Sequence, residues 1–212
     1  EKSDFLESAF LVLYGHLPTA EEKASFQAGI NSAAGMPSDI LGHLKAFPKD
    51  APPMATLSSL ISVLATHNTD DLGVAVEGES FTRPLYTIMA QVLELAAGQY
   101  RVNLGKEPNA YNPDLSYAAN FMHLMFSEPG QPYEVLPAVE KAMDLFLILH
   151  ADHEQNCSTS TVRIVGSSQS NLFSSVSAGV GALWGPLHGG ANCEVIKMLN
   201  SIHNDGIAPS DF

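Results

Sequence analysis

Apolar positions along the chain recur mostly at intervals of three and four, the spacing of one face of an α-helix. Phe5, Leu6, Ala9, Phe10 and Leu13 form the first such face; Ser3 or Asp4 can cap its start, and Gly15 stops it. Pro18-Thr19-Ala20-Glu21-Glu22 opens a second helix expected to run to about Asn31. Thr19 and Glu22 have the spacing of a capping box, in which each side chain satisfies a backbone N–H left free at the helix start. Ser38-Asp39 caps a short helix ending near Phe47, residues 48–53 break the pattern, and Met54 to Ala65 resumes it. His67 to Ser80 lacks the period and reads as a loop. Pro84 suits the first position of a helix that continues to Gly98. Gly105 to Pro113 is a second loop, Ser116 to Phe126 a short helix, and Pro129-Gly130-Gln131-Pro132 a hinge. Residues 133–150 form a strongly apolar helix through Val135, Val139, Met143, Phe146, Leu147 and Leu149. Residues 171–184 are rich in Ser, Ala and Gly, so this helix can approach another closely. A last helix is expected over 191–203. No stretch reads as a strand and no repeat is visible, so the predicted fold class is all-α.

Composition adds a constraint on the surface. Hydrophobic residues make up 45% of the 212 residues, enough for a packed core, but charged residues only 16%, against roughly 25% in typical soluble domains. Either much surface is buried against another subunit, domain or segment, or the coat is made of Ser, Thr and Asn. The net charge of −13, from 23 acidic and 10 basic residues, argues against nucleic acid as a partner, because phosphate binding needs clustered Lys and Arg. An anionic substrate would need the few cations gathered locally or supplied from elsewhere. The two cysteines, Cys157 and Cys193, form no CxxC motif and fit a reducing cytoplasm better than a disulfide scaffold. No leader pattern opens the sequence, and no apolar run reaches the roughly 18 residues of a membrane helix. Neither end looks like a natural terminus, so a fragment is expected.

Three histidines carry the candidate chemistry. His150 and His153, three apart at the end of an apolar helix, would share one helical face, and with Asp152 and Glu154 beside them could be read as a metal site. Such a site needs a third ligand and a second shell, and those carboxylates would project elsewhere; a polar helix end with satisfied histidines is the simpler reading. His188 lies in Gly185-Pro186-Leu187-His188-Gly189-Gly190-Ala191-Asn192, just before a helix. Two glycines permit close backbone approach to a ligand, and the helix start offers free N–H groups suited to an anion or oxyanion. The same dipole disfavours imidazolium, leaving His188 a neutral hydrogen-bond donor. A plain helix N-terminus explains the same residues. Ser158-Thr159-Ser160-Thr161 can cap a helix or bind a carboxylate, and neither a Ser–His–Asp set nor a phosphate-binding glycine loop can be assembled.

Read together, His150-Ala151-Asp152-His153-Glu154-Gln155-Asn156, Ser158-Thr159-Ser160-Thr161-Val162-Arg163 and Gly185-Pro186-Leu187-His188-Gly189-Gly190-Ala191-Asn192 resemble the citrate synthases, in that family's order and spacing. Weaker similarity extends upstream through 11–18, Pro53-Met54 and 114–121, and the HEQNxSTSTVR form looks bacterial. The resemblance implies an all-helical enzyme with a large and a small domain and an active site between them, condensing acetyl-CoA with oxaloacetate to citrate and CoA. On that basis residues 1–188 are most of the large domain and 189–212 the start of the small one. His188 would hydrogen-bond the thioester carbonyl oxygen as the enol forms. His153 would bind oxaloacetate, Asn156 would contact it, and Ser158 would orient the His188 ring. Helices 133–150 and 171–184 would contribute to a homodimer interface. No metal and no cofactor are implied, acetyl-CoA being a substrate.

The resemblance also implies groups that this sequence does not match. The family's second histidine, its aspartate base and its carboxylate-binding arginines lie downstream of the matched segments, and His203, Asp205 and Asp211 are not in their context. Residues 67–110 match poorly, so no CoA contact is assigned there, and Cys157 and Cys193 are expected to be packing residues. Two alternatives stand: a 2-methylcitrate synthase using propionyl-CoA, and a non-catalytic helical binding or dimerisation module.

Overall fold

A computed structural model describes residues 2–72, 78–131 and 133–208. Among them are ten α-helices and no strand: α1 (Phe5–Tyr14), α2 (Ala20–Ala33), α3 (Ser38–Ala46), α4 (Pro53–His67), α5 (Glu79–Asn103), α6 (Tyr117–Phe126), α7 (Pro137–Leu149), α8 (Cys157–Ser167), α9 (Leu172–Leu183) and α10 (Gly190–Asp205). None is long and apolar enough to cross a membrane.

Helices fixed by local backbone chemistry lie where the sequence puts them. Asp4 caps α1 through Oδ1, and Gly15 ends it in the left-handed region at φ 80°. Thr19 and Glu22 form the expected capping box on α2. Three boundaries differ. Ser38 and Asp39 fall inside α3, after Pro37. The helix expected from residue 133 starts at Pro137, whose missing N–H costs nothing at a first position. α5 begins at Glu79, so Pro84 lies inside it rather than at its start. The proline removes only the bond toward the carbonyl of residue 80, near a helix end, and the Gly78 carbonyl anchors the first turn by accepting from the Phe81 and Thr82 N–H groups. Thr69–Asp71 form a short 3-10 turn; residues 73–77 of the predicted loop and Pro132 of the predicted hinge lie outside the described residues.

α5 is the spine. Ile88 and Leu95 pack with Ile40 and Leu44 of α3, Leu60, Ile61 and Leu64 of α4, and Phe173 of α9. Leu85 and Ala90 meet Leu6, Phe10, Phe26 and Ile30 of α1 and α2. Leu93 and Ala97 meet Leu124 of α6. Arg101, only 2% exposed, closes the far end. It donates to the carbonyls of Glu107 at 2.6 Å, Ser127 at 2.7 Å and Met125 at 3.3 Å. Asn109 adds bonds to the carbonyls of His123, Leu124 and Ser127. Together they satisfy acceptors that the C-terminus of α6 would otherwise leave free.

The small residues of α9 form a seam, but within the chain. Ser177 exchanges hydrogen bonds with Ser58 and accepts one from Ser62, both on α4. A Cβ on Gly179 would lie 2.6 Å from Val162 Cγ2 on α8. Ser177 and Gly179 thus serve packing within the chain, while Gly181 on the same helix is exposed. By contrast α7, expected to be apolar, leaves Leu136 65%, Phe146 51% and Leu149 69% exposed. The accessible surface of 12393 Å² exceeds the roughly 9,500 Å² expected for a compact monomer of this mass. Exposed apolar side chains thus make up part of the sparsely charged surface.

Candidate functional site

The predicted residues converge where α7, α8, α9 and α10 meet. His150 caps α7, His153 follows in the turn, and Asn156 and Ser158 begin α8. His188 sits in the turn between α9 and α10. With Leu183, Ala191 and Asn192 they line a cleft of about 520 Å³.

His188 is held by the start of α8. Its Nε2 lies 2.8 Å from Ser158 Oγ and 3.3 Å from the Ser158 backbone N. A backbone N–H can only donate, so Nε2 is an acceptor and the ring N–H of the neutral imidazole is on Nδ1. Nδ1 has no protein partner among the described residues and is free to donate. The sequence expected a neutral donor, but from the dipole of the helix that follows; the helix end that meets the ring is that of α8. Ser158 Oγ also lies 2.8 Å from the Gly179 carbonyl, an approach that the missing Cβ of Gly179 permits. Asn156 is the N-cap of α8 and accepts from Thr159 N at 2.9 Å, leaving its amide NH2 toward solvent or ligand. The Ser-Thr run forms the body of α8, a helix that sequence reading left unassigned.

The turn carrying His153 is conformationally committed. Asp152 Oδ1 accepts from Glu154 N at 2.9 Å, and Glu154 adopts φ 57°, a left-handed conformation costly for a glutamate. The carboxylate thus holds a turn, and among the described residues no group of three or more His, Cys, Asp or Glu is arranged to take a metal ion. His153 Nε2 donates to the Leu149 carbonyl at 2.7 Å and His150 Nδ1 to that of Phe146 at 2.7 Å. Each ring keeps one nitrogen for other work. Gly189 is needed for a reason other than a ligand: a Cβ there would lie 2.1 Å from the Leu183 carbonyl oxygen. Cys157 and Cys193 are both exposed, so within this chain they are not the packing residues expected.

Among the described residues no Lys or Arg lines the cleft. A second cavity of about 430 Å³ lies between α2, α5 and residues 107–113. Its buried Glu94 accepts from Gly35 N at 3.0 Å, with burial raising its carboxyl above the ordinary value. Burial and the neighbouring Glu94 push Tyr111 up to about 12. Glu94 thus pins the 34–36 turn, and Tyr111 donates to Asn31 Oδ1 on α2 at 3.0 Å, so neither is aimed at a ligand. The signals that sequence reading lacked were the backbone N–H of Ser158 and the cleft walls Leu183 and Asn192, which only packing brings in.

The family model described as citrate synthase, C-terminal domain, matches residues 1–211. Citrate synthase 1 of Mycobacterium tuberculosis is 42% identical over 100% of this chain and 49% of its own length. The citrate synthase structure from Pyrobaculum aerophilum superposes with a TM-score of 0.80 at 32% identity, covering 92% of this chain and 49% of that one. The Thermoplasma acidophilum enzyme, solved as a ternary complex with carboxymethyl coenzyme A and oxaloacetate, gives a TM-score of 0.83 at 24% identity, covering 94% and 50%, and speaks to the fold alone. The chain spans about half the length of the curated relatives it matches. With matching motifs, fold and near-complete coverage by the family model, this chain belongs to the citrate synthase family.

Proposed function

We propose that this chain is the part of a citrate synthase that supplies the enol-stabilising histidine and one side of the oxaloacetate site. The single observation that carries the reading is the Ser158 backbone N–H directed at His188 Nε2, which leaves the ring N–H on Nδ1 to donate. A fixed neutral donor beside a cleft suits a thioester carbonyl whose oxygen gains charge as the methyl proton leaves. His153 and the Asn156 amide meet the oxaloacetate, and Ser158 holds the His188 ring. The base, the second histidine and the arginine clamp come from protein outside the matched segments, consistent with a cleft without cations. Residues 1–188 belong to the large domain and 189–212 begin the small one. The exposed apolar face of α7 supports assembly as a homodimer or higher oligomer in a bacterial cytoplasm.

The test is thiol release by the full-length protein with oxaloacetate and either acetyl-CoA or propionyl-CoA. Preference for acetyl-CoA is expected; preference for propionyl-CoA would make it a 2-methylcitrate synthase, and no turnover a binding module. His188→Ala should lower kcat far more than it weakens oxaloacetate binding, and His153→Ala should do the reverse. Equal effects on turnover alone would overturn the assigned roles.

A further inference from the structure

α10 stands apart from the helices around it. Residues Ala191 to Ser201 are all exposed, and no other helix packs broadly against it. Its first turn nonetheless forms one wall of the cleft through Ala191 and Asn192. Two features hold that turn. The first is steric: Gly189 lies so close to the Leu183 carbonyl that a Cβ would sit 2.1 Å from it. With the His188 and Gly189 N–H groups both donating to the Gly185 carbonyl, this fixes where α10 starts but not where it points. The second is polar: His150 Nε2 lies 3.5 Å from Asn192 Oδ1, across the cleft. Among the described residues this is the side-chain hydrogen bond that ties α10 to another helix.

His150 is well placed to act as an anchor. Its Nδ1 donates to the Phe146 carbonyl at 2.7 Å, and its ring lies over Phe146 with centroids 4.3 Å apart. The ring is therefore fixed on α7 before it reaches across. With Nδ1 as the donor, Nε2 of the neutral ring accepts, and Asn192 meets it by turning its amide to present NH2. The protonated ring donates to the amide oxygen instead, so either state keeps the link.

We infer that His150 is a positioning residue: it latches Asn192 and so sets the direction of α10 about the Gly189 pivot, and with it the width of the cleft beside His188. The inference rests on the proposed function for its kinetic effect, but not for its structural one. The test uses the full-length protein with His150→Ala, His150→Gln and His150→Asn. Glutamine reaches the position of Nε2 and can bond Asn192; asparagine reaches only that of Nδ1 and can bond Phe146. Hydrogen exchange of the 190–196 amides should quicken by roughly tenfold in the Ala and Asn variants and stay near wild type in the Gln variant. The KM for oxaloacetate should rise roughly fivefold in the first two, with kcat changed less. Unchanged exchange in His150→Ala, or equal rescue by Asn and Gln, would overturn the latch. A wild-type protein without condensation activity would sink the functional reading, and exchange would still decide the latch.

Discussion

Gly179 links the packing of two helices to the geometry of His188, the histidine proposed above to stabilise the enol, and replacing it with alanine tests that link. The new methyl carbon would lie 2.6 Å from Val162 Cγ2, where carbon atoms prefer about 3.5–4.0 Å. Valine in a helix has essentially one χ1 rotamer, so Val162 cannot swing clear. α8 must therefore retreat by about 1 Å. Overpacking of this kind costs about 1–3 kcal/mol, and the better helix propensity of alanine offsets about 0.5–1 kcal/mol of it. The retreat carries Ser158 away from Gly179 and from His188, now each 2.8 Å from its Oγ. A further ångström takes both acceptors out of reach of the single Ser158 hydroxyl proton, and the Ser158 N–H away from His188 Nε2. Turnover of the full-length enzyme should fall by roughly a hundredfold, the scale of a 1 Å misplacement of a catalytic group. Val162→Ala removes the clashing atom, so the double variant should regain most of the lost activity. Thermal unfolding midpoints and steady-state kinetics on the two single variants and the double variant form the cycle. Wild-type activity in Gly179→Ala, or a double variant no better than Gly179→Ala, would refute the coupling of seam to site.

Arg101→Met should lower stability by about 3 kcal/mol, read from urea unfolding, because the part-buried carbonyls of Glu107 and Met125 lose their donor. Wild-type stability would mean that these acceptors find other partners. Folding raises the Glu94 carboxyl from its ordinary 4.5, so the folded state holds that proton more tightly than the unfolded chain. The stability this gives is complete below 4.5 and is lost as pH rises through the raised folded value. Glu94→Gln should flatten the pH dependence of unfolding across that window; an unaltered profile would show that Glu94 does not contribute to it. Asn156→Ala removes the α8 cap and should cost about 1 kcal/mol. Asn156→Asp should restore that stability without restoring oxaloacetate affinity, and recovery of both would deny the amide a role in binding.

What could be read along the chain was what short segments decide for themselves. The caps of α1 and α2 are contacts between residues three apart, so Asp4, Thr19 and Glu22 announce them. The histidine motif named the cleft because its residues converge at the ends of consecutive helices. α8 escaped notice because Ser, Thr, Val and Ile are indifferent helix formers, and its helix is supported by packing against Gly179, seventeen residues beyond Val162. The tautomer of His188 depends on that same packing. The destination of the small face of α9 was likewise invisible, since Ser177 meets Ser58 across 119 residues of chain. Pro84 shows the opposite limit: a strong local signal gave way to a longer helix that brings Phe81 against the core of α1 and α2.

The bare face of α7 has a colloidal consequence. With a net charge of −13 and an apolar stripe through Leu136, Phe146 and Leu149, the 212-residue chain alone balances mutual repulsion against adhesion. At about 0.01 M salt, repulsion reaches roughly 30 Å and keeps chains apart; at about 1 M it shrinks to roughly 3 Å, and the stripes meet. Salt should therefore gather this polypeptide into assemblies, where for most acidic proteins of its size it merely loosens surface ion pairs.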